Sequence, residues 1–467
     1  MILLINPPIS FEEHYGKFSD ISPDLPPLGL TYMAAVLEKN DFEVQIIDSQ
    51  ILKLNFNNLS ETLKNLNKKP KIIGITCLTS FYKAALKTAE LVKKIFPDCL
   101  LVIGGPHVTI FPEDALKEEF VDVIVRHEGE YTLLDLAKNT HNLSEIKGIS
   151  YKKDGKIIHN EDREFIKNLD ELPFPARHLI PRTNYRAPPD QQLATPTDSI
   201  MTTRGCPHSC TFCSNGLIWG HKMRSRSVNN VVDEIELLVN KYKVKSLLFQ
   251  DDTFYPGKEI EFCEEMIKRG LHKKIEWSCE TRVNIITEEK MKKMKEAGCK
   301  YVFFGVEAAD NELLKRINKN ITLDQVRKAV KLAKKIGFIT RTSFIIGLPG
   351  ETREQSLKTL KFAKELDADF SKWSVFVPYP GTKESQLLKD EIKNFNWDDY
   401  LSIAGYLSKN PIYVPKGRTY EELVKLQKEF HKKFYIRPKK ILRQLKKVRN
   451  FGDIKRYFKA GKAILSQ

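Results

Sequence analysis

Hydrophobic positions along this 467-residue chain fall into two long alternations of short continuous apolar runs and helically spaced ones. In the first, residues 2–5, 42–47, 72–76, 100–103 and 121–125 are unbroken enough to read as strands. Between them, 28–39, 84–96 and 132–137 repeat apolar residues every three or four positions, as a helix packed on one face does. Leu30, Ala34 and Leu37 carry that spacing in the first of these. Alternating strand and helix predict a parallel, doubly wound sheet, an architecture that binds ligands beyond the carboxyl ends of its strands. The candidate binding loops are therefore 6–8, 76–80, 104–109 and 127–130.

Residues 141–195 interrupt the alternation. Segment 151–156 has the pattern of a hairpin, and 172–177 (Leu-Pro-Phe-Pro-Ala-Arg) reads as an extended linker on a surface. A second alternation follows. Strands are expected at 199–202, 246–250, 276–280, 301–305, 342–346 and 373–377, with helices at 229–241, 259–269, 288–297, 323–336 and 354–366. Six strands alternating with helices predict a partial or complete parallel barrel, with its active site at the strands' carboxyl ends. The fold class is α/β: a Rossmann-like domain over 1–140, a connector over 141–195, a barrel over 196–385 and a helical region over 386–467. No repeat or low-complexity tract is evident.

Composition is that of a soluble globular protein, with 41% hydrophobic and 29% charged residues. The net charge of +16 is concentrated at one end, because residues from 416 onward carry 17 Lys/Arg against 4 Asp/Glu. Ile441, Leu445 and Val448 recur there at helical spacing among cations. Such a helix packs on the body with a basic outer face, or lies on an anionic membrane, or meets nucleic acid phosphate. The opening apolar run is too short for an export signal, and no run of about 18 apolar residues occurs. A reducing cytoplasmic location is expected, with or without membrane association, and disulfides are not.

Cys206, Cys210 and Cys213 form a C-x3-C-x2-C loop immediately after the first barrel strand. Three thiolates on one loop are ligands for an iron–sulfur cluster with one iron left open. A zinc site would need a fourth ligand, for which His208 is available. Cys77, Cys99, Cys263, Cys279 and Cys299 are scattered and read as buried core residues.

The cysteine spacing, with Phe212 before the third cysteine, resembles the radical S-adenosylmethionine superfamily. That resemblance implies a 4Fe-4S cluster whose open iron chelates S-adenosylmethionine and cleaves it to a 5′-deoxyadenosyl radical. It also gives roles to strand ends that alone would read as helix caps or turns. Asp251 and Asp252 follow the second strand, where the family places an acid near the ammonium group. Arg282, after the third, would pair with the methionyl carboxylate. Glu307, after the fourth, resembles the acid that binds ribose or ammonium. Gly347, Gly350 and Glu351, within 345–351, resemble the adenine-contacting segment.

The first domain resembles that of the cobalamin-binding branch of the superfamily. The matching pieces are Asn6-Pro7-Pro8, 27–30, 104–109, 128–130 and the connector 169–177. Candidate cobalamin contacts are Thr76, Thr79, Ser80, Gly104, Gly105, Glu128 and Gly129. No Asp-x-His-x-x-Gly loop is present, so neither His107 nor His127 is assigned to cobalt. The alternative is a Rossmann-like domain that serves packing or substrate capture. Gly-Gly-Pro-His is not a nicotinamide fingerprint.

The resemblance implies a cobalamin-dependent methyltransferase acting on an unactivated carbon of a small, lipid-like or tetrapyrrole-like substrate. It also implies an electron donor such as a ferredoxin or flavodoxin. One alternative is a radical enzyme that cyclises, oxidises or joins carbons without methylation. Another is an RNA-modifying methylthiotransferase, against which stands the lack of a second cysteine trio near the N-terminus. A non-catalytic iron–sulfur scaffold is the third, and the set of strand-end residues argues against it.

Overall fold

The computed structural model describes residues 1–15, 25–181, 185, 187, 191, 193–392, 397, 412–445 and 461–462. These form two compact units. One takes in residues 1–10, most of 25–185, and 215–226; the other takes in 11–15, 193–214 and most of the chain from 227 onward.

The first unit is built on a seven-stranded sheet. Its strands are β1 (Ile2–Asn6), β2 (Val44–Asp48), β3 (Ile72–Thr76), β4 (Leu100–Gly104), β5 (Val123–Val125), β6 (Ile149–Lys153) and β7 (Lys156–His159), in the order β2-β1-β3-β4-β5-β6-β7. The first five are parallel and the last two antiparallel. Every residue of β1 is buried, as its unbroken apolar run demands of a strand covered on both faces. Helices Leu28–Glu38, Tyr82–Ile95 and Glu130–Lys138 fall where periodicity placed them, within two residues at each end. Helix Phe56–Lys64 is additional. Only Leu59 and Leu63 are buried in it, too few to show a period, and Asn55 caps it by accepting from the Asn58 N–H at 2.9 Å.

The boundaries expected at 140 and 195 do not coincide with the division of the chain. The 149–159 hairpin completes the first sheet, held by Arg126, which donates to the Ile149 carbonyl at 2.5 Å and to Asp162 at 2.9 Å. The proline-rich linker is docked as well, since Ala176 N–H donates to Thr31 O at 2.9 Å. Residues 215–226, expected within the barrel, belong to the first unit.

The second unit carries six parallel strands in sequential order: β8 (Thr197–Ile200), β9 (Ser246–Phe249), β10 (Glu276–Thr281), β11 (Cys299–Glu307), β12 (Ile339–Ile346) and β13 (Phe370–Val375). Among the described residues β8 and β13 are not paired with each other, so the barrel is partial. Trp277, Phe249, Phe254 and Phe262 form an aromatic knot in its core, with ring centroids 4.9–5.7 Å apart. Helices Leu323–Ile336 and Arg353–Leu366 each begin with a Thr-x-x-Gln capping box.

Helix Tyr420–Tyr435 covers the outer edge of β13. The Tyr435 hydroxyl accepts from Ser371 N–H and donates to Ser371 O, both at 2.9 Å. In the following helix, Pro438–Leu445, Arg443 and Lys440 turn inward, as does Arg437 just before it. Arg437 and Arg443 pair with Asp367 at 3.4 and 2.6 Å, and Lys440 donates to Ala368 O. These three cations dock residues 437–443 onto the body. Residues 446–460, including Val448, lie outside the described residues. Among the described residues no helix is long and apolar enough to cross a membrane.

Candidate active site

The cysteine loop leaves β8 and is held from several sides. Asp251, just past β9, is buried, and its Oδ1 accepts from Thr202 N at 2.8 Å, Thr203 N at 2.6 Å and Thr203 Oγ1 at 2.9 Å. Burial pushes its carboxyl up to about 6, against those hydrogen bonds. Thr211 anchors the middle of the loop. Its N–H donates to Ile317 O at 3.0 Å, and its hydroxyl donates to Glu384 Oε2 at 2.6 Å. Asn318 Nδ2 holds Ser209 through its carbonyl and hydroxyl, at 2.8 and 2.9 Å.

On this frame Cys206 and Cys210 are half-buried and Cys213 is exposed. Burial holds the Cys206 thiol above its ordinary value; Asp252 and Cys210 add to this, and Arg282 opposes it. Among the described residues no three His, Cys, Asp or Glu side chains converge where a single ion would sit. Thiolates on a cubane each meet a different iron and need no common focus.

Of two charged residues at neighbouring strand ends, Arg282 reaches the loop and Glu307 pairs with Lys319. Arg282, one residue past β10, is buried, with Nη1 3.9 Å from Cys210 Sγ. Its Nη2 donates to the Lys319 carbonyl, and its Nε to Asn284 Oδ1 at 3.3 Å. Glu307 ends β11 at a break in register and with φ of 73°, an uncommon conformation for a residue with a Cβ. Its carboxylate meets Lys319 Nζ at 2.6 Å, with both side chains buried.

The remaining assignments divide. Asp252 is exposed, whereas Asp251 is turned beneath the loop. Glu351 is also turned inward: its Oε2 accepts from the N–H groups of Gly347 and Leu348, and burial pushes its carboxyl up to about 7. Asp251 and Glu351, read from sequence as cofactor contacts, therefore hold loops in shape. Gly347 adopts φ of 80°, and a Cβ there would stand 3.1 Å from Leu423; Gly350 backs onto Arg316. Close packing inside the protein explains these glycines better than close approach of a ligand. Sequence reasoning missed the 317–319 segment, Thr211 and Glu384. The two asparagines flanking Lys319, both at positive φ, are the one local signal of a tight structure there.

The first unit has a cavity of about 170 Å³ at the carboxyl ends of β1, β3, β4 and β5. Thr76, Gly104, Gly105, Glu128 and Gly129 line it; Thr79 and Ser80 do not. Thr79 lies instead 3.4 Å from the ring of the buried His107. Gly105 has φ of 113°, and a Cβ there would lie 2.7 Å from Cys77 O. Glu128 is held in a buried pair with Arg224 at 2.8 Å and accepts from Ile166 N–H at 2.6 Å. That pair seats 215–226 on the unit, so that Ile218 and Trp219 form part of the wall. The glycine-lined cavity admits one limb of a large ligand such as cobalamin, not a whole macrocycle.

The sequence matches the Radical SAM superfamily over residues 200–363 and the B12 binding domain over 18–137. It is 38% identical over 428 residues to an uncharacterised methyltransferase of Pyrococcus horikoshii, covering 90% of each chain. It is 31% identical over 437 residues to the anaerobic magnesium-protoporphyrin IX monomethyl ester cyclase of Cereibacter sphaeroides, covering 91% of this chain and 69% of that one. Among solved structures, the radical S-adenosylmethionine methyltransferase TsrM from Kitasatospora setae, with cobalamin and a 4Fe-4S cluster bound, superposes with a TM-score of 0.69. The identity is 18%, with 90% of this chain and 79% of that one covered; the likeness is one of fold.

Proposed function

The chain belongs to the B12-binding branch of the radical S-adenosylmethionine superfamily, and from that premise we propose that it methylates an unactivated carbon of a small, lipid-like or tetrapyrrole-like substrate. Its cofactors are a 4Fe-4S cluster, S-adenosylmethionine and cobalamin. The observation that carries the proposal is the convergence of Arg282 and the anchored C-x3-C-x2-C loop, with Glu307 on the adjoining strand.

When bound, the cluster supplies the electron that splits the sulfonium, and cobalamin supplies the methyl group. Cys206, Cys210 and Cys213 hold the cluster. Arg282 presents a guanidinium to the methionyl carboxylate, while Asp252 and Glu307 present carboxylates to the ammonium or ribose. The backbone of 345–351, braced by Glu351, faces the adenine. The first unit is assigned to cobalamin, with Thr76 and Gly129 beside the bound limb. A ferredoxin or flavodoxin is the proposed electron donor.

The cyclase relative favours a second reading in which the same radical closes a ring and no methyl is transferred. Anaerobic reconstitution with hydroxocobalamin separates the two. Four irons, one cobalt, 5′-deoxyadenosine and S-adenosylhomocysteine after dithionite reduction support methyl transfer. Deoxyadenosine without S-adenosylhomocysteine or cobalt rejects it in favour of the second reading.

A further inference from the structure

Arg282 is built more tightly than a residue that only awaits a ligand's carboxylate. Its side chain is buried. Two of its three nitrogens are tied down, Nη2 to the Lys319 carbonyl and Nε to Asn284 Oδ1. Lys319 is itself fixed, because its ammonium is paired with the buried Glu307. A guanidinium is a rigid planar fork, so fixing Nε and Nη2 fixes Nη1 as well. The atom thereby presented at 3.9 Å is the sulfur of Cys210.

We infer that Arg282 is the hydrogen-bond donor to the Cys210 thiolate of the loaded cluster and raises the cluster's reduction potential, with Lys319 as the positioning residue that holds the fork in place. This rests on the radical-enzyme reading, since it needs a cluster on the three cysteines. Reduction adds negative charge that is shared with the thiolate sulfurs. A fixed cation donating to one of them stabilises the reduced cluster more than the oxidised one, and hydrogen bonds to sulfur are a known determinant of cluster potential. Thiolate and carboxylate contacts are compatible: each Nη carries two hydrogens, and one on each remains after the contacts described.

The test is an EPR-monitored redox titration of reconstituted protein without S-adenosylmethionine, so that carboxylate pairing contributes nothing. Iron is counted in parallel. Expected are four irons in wild type and in R282Q, a more negative midpoint in R282Q, and an intermediate one in R282K, whose ammonium keeps the charge and loses the fork. Four irons in R282Q with the wild-type midpoint overturn the inference and leave the radical-enzyme reading standing. Should R282Q take up no iron, R282K carries the test, and a wild-type midpoint in that variant overturns the inference equally. Wild-type protein that fails to take up four irons overturns the radical-enzyme reading itself.

Discussion

Lys319 Nζ lies 2.6 Å from Glu307 Oε1, and both side chains are buried. The glycine at 305 makes room for them, since a Cβ there would stand 2.6 Å from the same Glu307 oxygen. K319M leaves a carboxylate buried without its cation, a loss of roughly 3–5 kcal/mol for a pair of this kind. Urea unfolding should show that loss, and the double variant E307Q/K319M should recover part of it. Equal stability of K319M and wild type would mean that the pair is screened by water.

The anchor of the cysteine loop makes a separate prediction. T211V removes the hydroxyl that donates to Glu384 and leaves that acceptor buried, at a cost of about 1–3 kcal/mol. Reconstituted T211V should hold fewer irons than wild type with an unchanged circular dichroism spectrum. C210A should hold no cluster and produce no deoxyadenosine. Deoxyadenosine from C210A would refute the cysteine assignment.

Glu351 predicts a pH dependence of stability. Burial raises its folded-state pKa from the ordinary 4.5 to about 7, so the folded protein binds the proton more tightly than the unfolded chain. Its contribution is then most favourable below about 4.5 and is lost as pH rises through about 7. E351Q keeps an acceptor for Gly347 and Leu348 and has no proton to lose. Melting temperatures measured from pH 5 to 8 should fall less with pH in E351Q than in wild type, and parallel curves would refute the shift.

The cavity of the first unit supplies the fourth prediction. Gly129 has an ordinary φ of −86°, so a side chain there is unstrained, and its Cβ would stand 2.9 Å from Met33 Sδ in the cavity wall. G129V should narrow the space and weaken hydroxocobalamin binding by about tenfold, the scale of a modest overpacking cost. Absorbance titration measures this. Unaltered affinity would place cobalamin elsewhere.

Much of this was legible in the chain. Unbroken apolar runs such as Ile2–Ile5 require coverage on both faces, and their alternation with helically spaced segments specifies strands inside an α/β layer. The cysteine loop declared itself by spacing. The direction of side chains was not legible. Asp251 and Asp252 are adjacent and of the same type, yet one lies buried beneath the loop and the other faces out. A strand end alternates its faces, and spacing does not say which residue faces in. Nor does local pattern reveal partners far along the chain, such as Glu128 with Arg224 or Thr211 with Glu384. Helix Phe56–Lys64 escaped because two buried leucines do not make a period.

The bond between Thr211 and Glu384 also sets an order in time. A ribosome adds about 5–20 residues per second, so the cysteines emerge on the order of ten seconds before the carboxylate that anchors their loop. For that interval three thiols sit on an unfinished loop, exposed to oxidants and stray metal ions. A nascent chain stalled before residue 384 would therefore present the motif without the carboxylate that anchors its loop.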